Sequence, residues 1–211
     1  MIIKFKPSLS IFILYLFGVF NICAQEEYDK YYTNDISTEF LSDIHLDKQV
    51  DISSLDLHFL NAAVFHLTNI ERANADLSEF VFYNNLYKSA LLHSEMMIQY
   101  DFFNHLNKQQ RQWREPSDRI FFFDDSYNAI AENIVENNLL DYEGSVLRYR
   151  TEYAQDGTLI YLDQNVALIP YASYLSIAKK MLSQWMNSSP HRANILDEGF
   201  NLLGCACAID L

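Results

Sequence analysis

Apolar residues first recur at a sustained helical spacing in the second quarter of the chain. Steps of three and four residues separate four of them: Leu57, Leu60, Val64 and Leu67. This spacing is typical of a helix that buries one face. Asp56 stands before the run and is of a residue type that caps helix N-termini. The pattern therefore predicts a helix over residues 56–74.

A second helix is predicted further along, with Asn84 or Asn85 as its cap, and it ends before Asp101–Asn104. One side of it collects five residues: Leu86, Ala90, His93, Met97 and Tyr100. A short helix is predicted around residues 116–122. Its first turn contains Pro116, whose fixed backbone angle suits that position.

The C-terminal part of the chain mixes helical and strand patterns. Residues 172–188 return to helical spacing, and Ser-Ser-Pro at 188–190 is expected to stop that helix. Within 137–170, two strand-like segments flank Ala-Gln-Asp-Gly at 154–157, which predicts an inserted β-hairpin. The apolar density of residues 201–211 predicts a buried strand.

The first 24 residues have the layout of an export signal. A basic end is followed by an apolar run and a small residue: Lys4 and Lys6, residues 9–20, and Ala24. We predict that residues 1–24 are a cleaved signal peptide. The apolar run is also close to the minimum length of a membrane span, so an uncleaved anchor stays open, as does lipidation of Cys23.

Residues 25–55 are acidic and polar and lack an apolar period, so they are expected to form a partly disordered lead-in to one domain over residues 56–211.

Loss of the signal removes two lysines and no acid, and the formal charge changes from −13 to −15. This charge argues against nucleic-acid binding, since phosphate backbones would be repelled. Only Cys205 and Cys207 would remain, so a disulfide framework is not expected and the core supplies the stability. The domain is expected to be a monomer.

Three motifs far apart in the chain contain the residue types of a chemical site. His105 ends Tyr-Asp-Phe-Phe-Asn-His, Glu132 lies in Ala-Glu-Asn-Ile, and His191 lies in Ser-Pro-His-Arg-Ala-Asn-Ile-Leu. The other histidines fall in predicted helices or in the lead-in, where packing or exposure to solvent is the ordinary role. Any site in this chain is therefore expected where these three residues meet.

The order of these motifs, together with Trp185–Leu196 as W-x-x-S-x-x-H-R-x-N-I-L, resembles the CAP superfamily (the SCP or cysteine-rich secretory, antigen 5 and pathogenesis-related 1 domain), in particular its bacterial branch. The resemblance covers residues 57–211. It implies an α+β fold of the α/β/α sandwich type, in which helices flank a small antiparallel sheet. It also implies a cleft lined by two histidines and two acids.

The resemblance places His105, Glu132 and His191 in this cleft, while Ser188 stands at the position of the second acid in many eukaryotic members. Glu136 or Asp197 could replace that acid in space. The family usually continues from the Gly-containing strand into another strand, whereas this sequence stops at Leu211, so the expectation is either a smaller sheet or an incomplete chain. The family pattern also implies framework roles for Asn69 and Arg72, with Arg72 paired to an acid.

Two histidines and a glutamate form a donor set that suits zinc or a similar divalent metal with an open position. The primary expectation is an exported domain, extracellular, periplasmic or on the cell surface, whose cleft binds a small ligand, a divalent ion, a lipid or an envelope or host component. A metal-assisted hydrolase or peptidase, with His105, Glu132 and His191 as catalytic residues, is an alternative. A purely structural or adhesive module is another. Contact with a membrane is expected only through an uncleaved signal or lipidation.

The aromatic residues near Trp113 and Phe121–Phe123 are candidates for a lipid or carbohydrate groove or for core packing.

Overall fold

The computed structural model describes residues 9–17, 31–32, 37–142, 149–155 and 157–210, with residues 9–17 described by their backbone alone. The helices are α1 Ser37–Phe40, α2 Leu57–Asn74, α3 Asn84–Gln99, α4 Pro116–Phe123, α5 Tyr174–Asn187 and α6 Ser189–Ile195. The strands are β1 Leu9–Phe17, β2 Val81–Phe82, β3 Ile130–Asn138, β4 Arg150–Tyr153, β5 Leu159–Leu162, β6 Leu168–Ile169 and β7 Leu202–Asp210. Short 3-10 turns occur at Ile44–Asp47, Ile52–Ser54 and Arg111–Trp113.

The main sheet has the strand order β2-β7-β1-β3. β1 runs antiparallel to both β7 and β3, and β2 adds a two-residue parallel pairing to β7. The predicted small antiparallel sheet is thus confirmed, with β2 as a short parallel addition. A second, antiparallel sheet has the order β4-β5-β6.

The two faces of β7 pack against different helices. Cys205 donates its thiol hydrogen bond to the Asn61 carbonyl of α2, over 3.2 Å. The next strand position, Gly204, lies directly against the backbone of Leu86 and Tyr87 in α3. Because neighbouring residues of a strand point to opposite faces, α2 and α3 cover opposite sides of the sheet. This is the predicted α/β/α sandwich, and the predicted buried C-terminal strand is one of the two inner strands of its sheet.

The predicted start of α2 is confirmed, because the Asp56 carboxylate accepts a hydrogen bond from the Phe59 amide over 2.9 Å. The predicted cap of α3 is wrong, since the helix already includes Asn84 and its N-cap is Tyr83. The Tyr83 amide donates to the Leu203 carbonyl over 2.9 Å. Tyr83 therefore still pairs with β7 as the chain leaves the sheet, and the helix begins at the next residue.

The predicted hairpin is confirmed over the residues described, where Arg150 pairs with Leu162 and Tyr153 with Leu159. The start of its first strand, residues 144–148, and residue 156 of its turn lie outside the described part. β6 extends the hairpin to three strands. Three residues give this sheet a small core of its own: Leu140, Tyr161 and Ile169.

Part of the predicted lead-in packs on the domain. Leu46 and Val50 are buried in the main core, and the Val50 amide donates to the Ala172 carbonyl over 2.9 Å. Ser37 is also buried and donates to a Glu79 carboxylate oxygen over 3.0 Å. Residues 37–55 therefore belong with the folded body, which differs from the expected start at residue 56.

The segment around His191 forms a helix of its own directly after α5. Ser188 ends α5 and serves as the N-cap of α6, so that Ser-Ser-Pro stops one helix and starts another. His191 therefore lies inside a short helix. Arg192 braces the junction between the two helices, because its Nη1 donates to the Met186 carbonyl over 2.7 Å.

Arg72 fixes the chain that follows α6. Its guanidinium donates to four backbone carbonyls, those of Ser78, Ile195, Asp197 and Phe200, over 2.7–3.1 Å. The expected pairing with an acid is therefore replaced by carbonyl contacts. Asn69 has the expected framework role, since its amide group exchanges two hydrogen bonds with the backbone of Phe80.

The apolar centre of the predicted signal peptide, residues 9–17, forms the central strand β1 of the main sheet. The rest of that signal, residues 1–8 and 18–24, lies outside the described part, and its cleavage stays a prediction. No helix within the described ranges is long and apolar enough to cross a membrane.

Candidate functional site

The carboxylate of Glu132, on β3, bonds to side chains from two other parts of the chain. Its Oε1 lies 2.6 Å from Nδ1 of His105, which follows α3 on a loop. Its Oε2 accepts a hydrogen bond from Nη2 of Arg119 in α4 over 2.7 Å. The Glu132 side chain is only 3% exposed, so the carboxylate is desolvated, and each of its oxygens has a protein partner.

Arg119 is a site residue that the sequence did not reveal. Its side chain is 0% exposed, and besides Glu132 it donates to the carbonyls of His105, Trp113 and Arg114, each over 3.1 Å. A buried guanidinium needs such a complete set of acceptors, since an unpaired buried charge is very costly. In the sequence, Arg119 directly precedes the apolar run Ile120–Phe123 of the predicted short helix. That position is the sequence feature that could have indicated its burial.

The Glu132 carboxylate determines which ring nitrogen of His105 carries the proton. A carboxylate accepts hydrogen bonds, so the short contact assigns the proton of the neutral imidazole to Nδ1. The lone pair of that tautomer is then on Nε2. Because 46% of the His105 side chain is exposed, this second nitrogen is the one available to a ligand.

His191 is held at the same site through Asn133, the neighbour of Glu132 on β3. The Asn133 amide donates to the His191 carbonyl over 3.0 Å, and its oxygen accepts from Nδ2 of Asn194 over 2.8 Å. Partial burial and the nearby charge of His105 lower the pKa of His191. Glu132 and Asn133 thus connect the loop of His105 to the helix of His191. That the two imidazoles and the carboxylate act as one site stays a prediction.

The proposed replacements for the second acid do not join this site. Glu136 is exposed at the far end of β3, and a carboxylate oxygen of Asp197 accepts from the Gly199 amide over 2.8 Å in its own turn. Among the residues that the structure describes, no group of three or more His, Cys, Asp or Glu side chains is placed to hold a metal ion. Both Glu132 oxygens are engaged, which leaves the exposed imidazole of His105 and the partly buried imidazole of His191 as candidate donors.

His93 of α3 is bonded to the loop that contains His105. It is fully buried, and its Nε2 donates to the Asn104 carbonyl over 3.0 Å. Burial, reinforced by the charge of Arg119, lowers the pKa of His93 to about 4. Glu132 acts in the opposite direction, and His105 adds a small lowering effect. His93 is therefore neutral in the fold at neutral pH and serves as a fixed donor.

We expect this buried imidazole to make the domain sensitive to acid. The unfolded chain takes up a proton on His93 near pH 6.5, whereas the folded chain does so only near pH 4. Its contribution is thus complete above pH 6.5 and is lost as the pH falls from 6.5 to 4, by an amount on the order of 3 kcal/mol. Urea unfolding at several pH values in this range measures the loss.

His93→Gln is the matched comparison, because the glutamine amide nitrogen can replace the Nε2 donor without a titrating group. The free energy of unfolding of this variant should fall less steeply than that of the wild type between pH 6.5 and 4. Parallel slopes for the two proteins would show that other groups cause the acid sensitivity.

An aromatic depression of about 330 Å³ lies beside α4. Its lining includes Trp113, Phe121, Phe122, Tyr127 and the polar Asp118. Phe121 and Phe122 are more than half exposed, so they do not belong to the core. Trp113 and Phe122 make an edge-to-face contact with ring centroids 6.0 Å apart. Core packing, the default expectation for these aromatics, does not apply to Phe121 and Phe122. A ligand for this depression stays a prediction.

Comparison with known proteins bears on the family of this chain. No curated protein matches it. A solved structure to which it is similar is that of an extracellular protein containing an SCP domain from Bacillus anthracis str. Ames, with 19% sequence identity and a TM-score of 0.41. That match covers 69% of this chain and 35% of the other, so the chain spans about a third of that protein's length.

The profile of CAP, the cysteine-rich secretory protein family, matches residues 65–210. This range covers more than half of the chain and runs from within α2 through β7, including the loop of His105, the strand of Glu132 and the helix of His191. The α+β sandwich agrees with it. The chain belongs to the CAP family.

Proposed function

We propose that this CAP domain is exported and binds a small external ligand or a divalent ion at the cleft of His105 and His191. One observation supports this above all. Both oxygens of the buried Glu132 carboxylate are held, by Arg119 and by Nδ1 of His105. The carboxylate thereby orients one imidazole and directs its Nε2 outward, which is the arrangement of a binding side chain with an outer-shell support.

A divalent transition ion fits this arrangement within limits. Neutral imidazole nitrogens of His105 and His191 are suitable ligands for zinc and similar ions. Glu132 would then serve as the outer-shell acceptor for His105 and not as a ligand. When bound, such an ion would lower the pKa of its water toward about 7. Two protein ligands are fewer than the three or four of most zinc sites, so the ion would be weakly held and open to an external ligand.

The hydrolase alternative has less support from the geometry. It assigns Glu132 the role of general base, which requires a carboxylate oxygen that can reach a substrate or a water. Both oxygens are instead within 2.7 Å of protein donors, and the side chain is 3% exposed. Glu132 therefore serves to orient the His105 ring.

The export part of the proposal rests on the signal-like pattern of residues 1–24.

Titration of the purified protein with zinc, followed by calorimetry, tests the proposal. We expect one ion per chain, and we expect His105→Ala and His191→Ala each to weaken or abolish binding. Glu132→Gln should weaken it by about 10–100-fold, as is usual for the loss of an outer-shell partner.

His45→Ala is a matched control for the same titration. His45 is also exposed and also has its Nδ1 next to a carboxylate, 2.7 Å from Asp43, but it lies in the lead-in, outside the cleft. Its loss should leave the affinity unchanged. Equal affinities for wild type, His105→Ala and His191→Ala would place the ion elsewhere and contradict the proposal.

A further inference from the structure

The outer face of α4 presents two adjacent aromatic side chains to solvent. Asp118, Phe121 and Phe122 are spaced at i, i+3 and i+4, so they lie on one side of the helix. The other side is buried, with Arg119 and Ile120 exposed by 0% and 1%. Phe121 and Phe122 are 61% and 63% exposed. A contiguous apolar patch of this kind marks a binding surface more often than a single exposed residue does.

The two phenylalanines border the depression of about 330 Å³, which Trp113 and Tyr127 also line. The planes of the Trp113 and Phe122 rings meet at 80°, with centroids 6.0 Å apart. Rings at this angle form a corner and not the flat platform on which a sugar ring stacks. The volume is at the lower end of the range of small-molecule sites, so the depression suits a small ligand.

The charge of this surface favours a cation. Among the described residues that line the depression, Asp118 is acidic and none is basic. Oδ2 of Asp118 accepts from the Glu115 amide over 2.9 Å, which fixes the carboxylate on the first turn of α4. Arg119, the next residue, is buried and bound to Glu132 on the other side of the helix. The whole chain has a formal charge of −13, so a phosphate or carboxylate ligand would be repelled.

Aromatic rings and one carboxylate together suit a particular kind of cation. The methyl groups of a quaternary ammonium pack on ring faces, and its charge is attracted by the negative face of each ring. It has no N–H donor, so it needs no set of hydrogen-bond acceptors. We propose that the depression is a second binding site of this domain, for a small organic cation with a methylated ammonium group. The site is separate from the cleft of His105 and His191, and the proposal does not depend on what the cleft binds.

Fluorescence titration of the purified protein with choline tests the proposal. The chain has two tryptophans, of which Trp113 lines the depression and Trp185 is 1% exposed in the core. Choline should therefore change the emission of Trp113 in a saturable way. The neutral carbon analogue of choline, in which a tert-butyl group replaces the trimethylammonium group, should bind about tenfold more weakly. Phosphocholine should also bind more weakly than choline, which would identify the free cation and not a lipid headgroup as the ligand.

Phe122→Ala should weaken choline binding by about 3–30-fold, as expected for the loss of one cation–π partner. Asp118→Asn, which keeps a side-chain oxygen for the Glu115 amide, should weaken binding and reduce its dependence on salt. Tyr153→Ala is the matched control, because Tyr153 is 70% exposed on β4, outside the depression, and its loss should leave the affinity unchanged.

Three results would each overturn the proposal. The first is the lack of a saturable response to choline. The second is binding of the neutral analogue or of phosphocholine as tightly as choline. The third is an unchanged affinity for choline in both Phe122→Ala and Asp118→Asn.

Discussion

Gly204→Ala is expected to prevent α3 from closing on the sheet. A Cβ atom at this position would lie 2.1 Å from the Tyr87 nitrogen and 2.4 Å from the Leu86 carbonyl carbon. Both atoms belong to the backbone of α3, so the clash cannot be relieved by a side-chain rotation. We expect a loss of about 3 kcal/mol or more in the free energy of unfolding, or failure to recover soluble protein.

Gly199→Ala is the matched control for the same exchange. There the added Cβ would meet only a carboxylate oxygen of Asp197, at 3.1 Å, which is the far end of a side chain. Its expected cost is within about 1 kcal/mol, as for most surface changes. Urea unfolding of the two variants compares them, and similar midpoints would mean that α3 does not lie as close to β7 as described.

Glu132→Gln is expected to have the second large effect, because it removes the charge that compensates a fully buried guanidinium. The Arg119 side chain is 0% exposed and lies 2.7 Å from Oε2 of Glu132. Loss of one partner of a buried pair costs about 3–5 kcal/mol, which should appear as a lower urea midpoint with an unchanged slope. Glu136→Gln serves as the control, since it makes the same exchange at an exposed position of the same strand.

A double variant separates the pair from its surroundings. Arg119→Met together with Glu132→Gln removes both charges, and such paired replacements cost much less than the removal of one partner. We expect the double variant to be more stable than Glu132→Gln alone. The third protein to measure is Arg119→Met alone. If the unfolding free energies lost in Arg119→Met and in Glu132→Gln simply add in the double variant, the ion pair is not the source of the effect.

The sequence predicted those parts of the fold that depend on local periodicity and local caps. α2 with its Asp56 cap, α4 with Pro116 in its first turn and the buried strand β7 were all found where expected. These features depend on residues within a few positions of one another. The pairing of His105 with Glu132 came from motif order, which resemblance supplied and periodicity could not.

The misses have nonlocal causes. The cap of α3 was misplaced because the Tyr83 amide pairs with distant Leu203 before the helix starts. Arg119 was missed because its acceptors come from four separate residues, and no pattern of adjacent residues announces them. The apolar run of residues 9–17 suits both an export signal and a central strand, and hydropathy alone cannot distinguish the two.

The two cysteines of β7 have a practical consequence. Cys205 and Cys207 are both free and fully buried, and burial raises the pKa of each thiol. Since the thiolate is the reactive form, neither should respond to alkylating reagents while the sandwich is closed. The rate at which these two sulfurs become labelled would therefore report how often the helices part from the sheet, with no probe added to the protein.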